Sequence, residues 1–111
     1  MFDANIVVLR GRVTSEAIVR ELPSGSSVTQ LEITTRTGDT STTVPVAITD
    51  RVIELPVGTD VLVAGSVRRR FFRSGGVTQS RTEVVAAEIV RLSQKRAVSK
   101  ILASATALLM P

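Results

Sequence analysis

The sequence predicts an all-β domain, a small antiparallel barrel followed by one helix, and three observations carry that prediction. Apolar and polar residues alternate at a period of two along several runs before residue 93. Valine and threonine, whose branched side chains suit strands, are abundant, and the only aromatics are three phenylalanines. Between Val61 and Glu83 an apolar alternating run turns strongly basic, breaks at Ser74-Gly75-Gly76 and returns as a polar run into Val84-Val85. That is the pattern of a β-hairpin.

The first strand is Asn5-Ile-Val-Val-Leu-Arg-Gly-Arg-Val13, with Gly11 where a bulge or a close backbone approach is expected. The chain resumes as Ala17–Leu22 and turns at Pro23-Ser24-Gly25-Ser26, where proline fixes φ and glycine supplies a positive one. A long first strand with a glycine midway is how a small barrel curls one strand across two sheets. Val28–Thr35 is the second strand, with Leu31 and Ile33 on one face, and Arg36–Ser41 is read as a loop. The third strand, Thr43–Thr49, turns Val44, Val46 and Ile48 inward; Pro45 lacks a donor and belongs at an edge or where its nitrogen faces away from the ladder. Asp50–Leu55 is expected to form a helical turn capped by Asp50. Pro56–Asp60 leads into the basic hairpin, whose return strand runs through Val84–Leu92. Five strands with one short helix between the third and fourth is the element order of an OB-fold barrel. Pattern alone gives only a small antiparallel β-barrel.

After Leu92 the character changes. Residues 93–110 read as a helix, with Ser93 as cap and Val98, Ile101, Leu102, Ala105, Leu108 and Leu109 on one stripe. The expected division is therefore residues 1–92 as the barrel domain and 93–111 as a helical tail. Such a stripe needs cover from its own barrel or from a neighbouring subunit, and the neighbour is the favoured expectation because a five-stranded barrel fills its own interior.

At 111 residues, 43% apolar and 22% charged, the chain has the composition of one globular domain. The net charge of +4 is unevenly placed. Residues 1–60 carry five Arg against eight acidic residues, a net of −3, and residues 61–111 carry nine Lys and Arg against two acidic residues, a net of +7. A basic half on a compact domain is the footprint of a polyanion partner. Twelve of the fourteen basic residues are Arg, whose planar fork suits phosphate and stacks on bases. Without Cys there are no disulfides or thiolate metal sites, and without His the usual general base and zinc ligand are gone. Asp39, Asp50, Asp60 and Glu83 form no metal cluster by spacing, so neither an enzyme nor a cofactor is expected. The N-terminus lacks a signal-peptide pattern and no apolar run reaches membrane-spanning length, so a cytoplasmic protein without a membrane partner is expected.

Arg68, Arg69, Arg70, Arg73 and Arg81 fall on the hairpin's outer half beside Phe71 and Phe72, and no acidic residue interrupts residues 61–82. Guanidinium groups for phosphates beside rings for bases are what a sequence-tolerant single-strand binder needs. The plainer reading is a solvated edge that discourages aggregation. Neighbouring strand residues face opposite sides, so the two phenylalanines do not share a face; Phe71 is expected to be the one that packs inward or against a partner chain, leaving Phe72 to a base.

Asn5, Gly11, Pro23-Ser24-Gly25, Val57-Gly-Thr-Asp-Val61, Gly65-Ser-Val-Arg-Arg-Arg-Phe-Phe72 and Thr82-Glu-Val-Val85 together resemble the bacterial single-stranded-DNA-binding proteins of the SSB type, over residues 5–92. The resemblance implies an OB-fold homo-oligomer, a tetramer rather than a dimer, that wraps single-stranded DNA without base specificity in replication, repair and recombination. RNA is left open as a second ligand, and association with the nucleoid follows. It places Phe72 where the family has a stacking Trp, and the surrounding arginines where the family contacts phosphates. Arg36 lies in the loop that carries another of the family's aromatics. The positions of the remaining stacking residues hold Thr43 and Thr49, and a basic-apolar helix stands where the family has an acidic tail. A divergent or short paralogue is the expectation. Two alternatives stand beside it: a dimeric adaptor similar to primosomal replication protein B, and an OB-fold interaction module that has lost DNA binding.

Overall fold

Six strands and one helix follow in chain order: β1 (Val7–Val13), β2 (Ile18–Glu21), β3 (Ser27–Thr37), β4 (Thr40–Thr49), β5 (Asp60–Ser74), β6 (Val77–Arg91) and α1 (Lys95–Leu109). They are seen in a computed structural model that describes residues 3–51 and 53–110. β1 pairs along its length with β5, β5 with β6, and β3 with β4, all antiparallel. Two short seams close the ring. Arg12 and Val13 of β1 meet Thr34 and Ile33 of β3, and Val46 and Ala47 of β4 run parallel to Val84 and Val85 of β6. The result is a closed five-stranded barrel. β2 is an extra strand: it continues β1 after the break at residues 14–17 and pairs only with the start of β3.

Alternation decides what fills the barrel. Val13, Ile33, Val61 and Val63 are wholly buried, and Leu31, Val46, Ile48, Leu55 and Val84 join them in one cluster. The interior is aliphatic, as the scarcity of aromatics requires, and each such side chain contributes about 1.5–3 kcal/mol on leaving water. Gly11 makes the expected close approach, since a β-carbon there would stand 2.6 Å from the Thr34 carbonyl oxygen. Val46 and Ile48 are buried and Val44 is half-buried, as the alternation predicts. Pro45 is not at an edge: it stands opposite Glu32 in the β3–β4 ladder, on an inner strand, just before the two residues of β4 that meet β6.

Three expectations are corrected. The loop Arg36–Ser41 shrinks to the turn Gly38-Asp39, because Arg36 pairs with Ser41 and Thr37 with Thr40. The described residues between Asp50 and Leu55 form no helix; Val52, inside that span, lies outside the described residues. Asp50 adopts a φ of 55°, and its carboxylate accepts the Ser27 amide at 2.9 Å. It therefore seals the end of the β3–β4 ladder and does not cap a helix. At α1 the N-cap is Gln94, which makes no side-chain cap bond, and Ser93 lies in the preceding turn.

The helix folds back on its own barrel. Ile101 and Ala105, four residues apart on one face, are buried, and the groove beside them is floored by Ala64, Ser66, Ala86 and Val90 of β5 and β6. Val98 is half-buried, while Leu102, Leu108 and Leu109 remain exposed. Own-barrel cover thus accounts for half of the predicted stripe.

Candidate nucleic-acid interface

The β5–β6 hairpin leaves the barrel beyond Val67 and continues as a two-stranded arm to its tip. Gly75 and Gly76 both have positive φ, 60° and 80°, the condition for the tight hairpin turn that keeps the arms twisted together. At the base, the Asn5 side chain donates to the Val67 carbonyl at 2.8 Å and accepts from the Val67 amide at 2.9 Å. It adds a rung to the sheet where the arm begins.

Residues opposite one another in an antiparallel pair share a face. Arg68 faces Glu83, Arg70 faces Arg81 and Phe72 faces Gln79; on the other side Arg69 faces Thr82, Phe71 faces Ser80 and Arg73 faces Thr78. The first face therefore gathers three arginines around one carboxylate. Glu83 is buried, and its Oε1 accepts from Arg70 Nε at 2.7 Å and from an Arg68 terminal nitrogen at 3.2 Å. Burial pushes the Glu83 carboxyl up, but the hydrogen bonds and charges of Arg70 and Arg68 outweigh it and hold its pKa below the ordinary 4.5. Arg81 is half-buried and its Nε is out of contact with any hydrogen-bond partner.

The rings are tied to the guanidinium groups. Arg70 lies 5.5 Å from the centre of Phe72 and Arg69 lies 5.3 Å from that of Phe71, so each face carries one cation–π pair. Phe71 is 66% exposed and Phe72 is half-buried. The two rings do face opposite ways, but Phe71 is the freer, and within this chain it does not pack inward. Arg69 also donates to Ser80 Oγ at 3.2 Å, and Arg73 to the Gly76 carbonyl at 3.1 Å.

Arg36 stands apart from the hairpin, on the outer face of β3. Two arginines that sequence reasoning passed over join it there. Along β1, Leu9, Gly11 and Val13 turn inward, which sends Arg10 and Arg12 outward. Arg12 lies directly opposite Thr34, and Arg36 is two residues further along β3. All three line a shallow cleft of about 940 Å³. Hydroxyls line the face: Thr34 Oγ1 lies 2.9 Å from Thr14 Oγ1 and 2.9 Å from Thr43 Oγ1, a chain running from Thr14, just past the end of β1, across β3 to β4. Arg12 shares an exposed ion pair with Asp60 at 3.3 Å. The alternation of β1 carried the signal for Arg10 and Arg12; the pairing of β1 with β3 did not show in it.

Among the described residues no group of three acidic side chains is placed to hold a metal ion, and no helix is long and apolar enough to cross a membrane. No protein-family model matches the chain, and no curated protein matches it in sequence. Among solved structures it is similar to a Plasmodium falciparum SSB in complex with single-stranded DNA. The TM-score is 0.69 and the identity 20%, over 82% of this chain and 97% of that one. At that identity the likeness establishes the fold alone: this chain shares the OB-type barrel of that structure.

Proposed function

We propose that the chain is a sequence-independent single-stranded-DNA-binding protein acting in replication, repair or recombination. The observation that carries the reading is the charge of the hairpin arm. Five arginines, Arg68, Arg69, Arg70, Arg73 and Arg81, are opposed there by one carboxylate, Glu83, with two aromatic rings among them. Backbone phosphates meet the arginines, Phe72 and the freer Phe71 each offer a ring to a base, and Arg36 extends the track onto the barrel. The solved complex of a similarly folded protein with single-stranded DNA supports the same ligand. Residues 1–92 form the binding domain and 93–111 a tail. Exposed Ile18, Val19, Leu108 and Met110 support self-association; the assembly proposed is a tetramer before a dimer, in a cytoplasmic protein associated with the nucleoid.

One observation favours a second reading. Arg68, Arg69, Arg70 and Arg73 all have partners within the chain, as the arginines of a purely structural interaction module would. Titration with a fluorescent poly-dT oligomer at several salt concentrations separates the two. A binder of three to five phosphates gives a slope of log K against log salt of about −2 to −3.5. Absence of binding at low salt, or affinity flat in salt, sinks the first reading.

A further inference from the structure

We infer that Glu83 and Arg81 form an exchange couple that regulates the arm: when a phosphate draws Arg70 off Glu83, Arg81 takes its place on the carboxylate. The inference rests on the single-strand-binding reading and deepens it. Its ground is an unequal count on one face of the hairpin. Arg68, Arg70 and Arg81 stand around a single carboxylate, and the first two are engaged: both donate to Glu83 Oε1, at 3.2 and 2.7 Å. The Glu83 side chain is 1% exposed, whereas those of Arg68 and Arg70 are 49% and 40% exposed. The Nε of Arg81 is buried with no hydrogen-bond partner among the described residues. A buried donor left without an acceptor is costly and calls for a reason.

An arginine already neutralised by a carboxylate at 2.7 Å attracts a phosphate weakly. To act with its full charge Arg70 must leave Glu83, and a buried carboxylate that loses a partner is strongly destabilising. Arg81 removes that obstacle. It lies directly across the ladder from Arg70 and two residues before Glu83 on the same face of β6, so both long side chains can serve one carboxylate. A phosphate in solvent cannot reach a buried Nε, whereas Glu83 shares its face. Exchanging Arg70 for Arg81 keeps Glu83 paired, gives the orphan donor an acceptor and turns one full positive charge outward. The stack of Arg70 over Phe72, 5.5 Å from the ring centre, keeps the released guanidinium on the arm.

The test titrates the full chain with a poly-dT oligomer, using wild type, Glu83→Gln, Arg81→Met and the double variant as a cycle. Against wild type, Arg81→Met should weaken binding about tenfold and flatten the slope of log K against log salt by about 0.7, because Arg70 stays locked on Glu83. In the Glu83→Gln background no buried charge needs a new partner, and the same substitution should cost no more than about twofold. Glu83→Gln alone should tighten binding by about threefold to tenfold. Equal losses from Arg81→Met in both backgrounds would show Arg81 meeting the phosphate itself and overturn the exchange. Weaker binding by Glu83→Gln would show that the carboxylate only positions the arginines, and would overturn it too. Wild type supplies a reading that needs no variant to fold. The NMR signal of the Arg81 Nε–H should move on saturation with the oligomer as it gains an acceptor, and an unmoved signal overturns the inference. A complex that forms without any of this coupling defeats this inference alone. No complex even at low salt defeats the single-strand reading and this inference with it.

Discussion

From Val61 to Val63 the β5 strand is buried on both faces, whereas from Arg68 to Ser74 the same strand, still paired with β6, is mostly exposed. The inner half has neighbours beyond its partner: β1 lies along β5, β4 touches β6 and α1 covers both. The outer half has only the other arm, so side-chain ties stiffen it where packing cannot. Those ties are the Glu83 ion pairs, the two cation–π contacts and the tip bond from Arg73. Four of the candidate binding arginines, Arg68, Arg69, Arg70 and Arg73, also tie the arm together. Fold and function separate along the length of one hairpin.

The largest effect should come from the inner half. A side chain at Gly65 would drive into the Val85 carbonyl, at the bulge where Gly65 pairs with Ala86 and β6 shifts register. Gly65→Val should cost more than about 3 kcal/mol and leave little folded protein by circular dichroism. A variant that folds normally would show that the inner half is as tolerant as the outer, and the contrast would fail.

On the outer half the rings come next. Phe71→Ala should weaken single-strand binding by about 1–3 kcal/mol with the melting temperature unchanged, because the ring is exposed. Phe72→Ala should lower both affinity and melting temperature, since that ring is half-buried under Arg70. Equal melting temperatures for the two variants would erase the difference between the arm's faces.

Glu83 sits at the boundary between the halves. Glu83→Gln should cost about 1–2 kcal/mol, less than a fully buried pair because Arg68 and Arg70 are half-exposed. The Glu83 pKa is depressed in the folded state, so its contribution is complete above about pH 4.5 and fades as pH falls through the folded value. Melting temperatures of wild type and variant should therefore converge below pH 4.5. A gap that persists in acid would mean the carboxylate's charge is not what holds the arginines. The smallest effect belongs to the barrel face, where losing Arg36 should flatten the salt slope by about 0.7.

What the sequence made legible was local. The hairpin with its turn at Ser74–Gly76, the close approach at Gly11 and the inward set Val46 and Ile48 all follow from period and residue type. Distant register was not legible. Nothing near Glu83 in sequence says that two arginines, 13 and 15 residues away, will share its oxygen and permit its burial. The opposition of Arg12 to Thr34 was not legible because it depends on barrel closure. Asp50 read as a helix cap because that residue type serves equally well in closing a ladder.

The two short seams have a mechanical consequence. With long ladders inside each group and only two paired residues at each join, the barrel is a pair of stiff leaves, β1-β5-β6 and β2-β3-β4, held along two narrow edges. On the single-strand-binding reading, a strand that runs from the arm on one leaf to Arg36 on the other straddles an edge and acts as a rivet. Occupancy then fastens the clamshell it rests on, and an empty molecule is looser than a loaded one along that line.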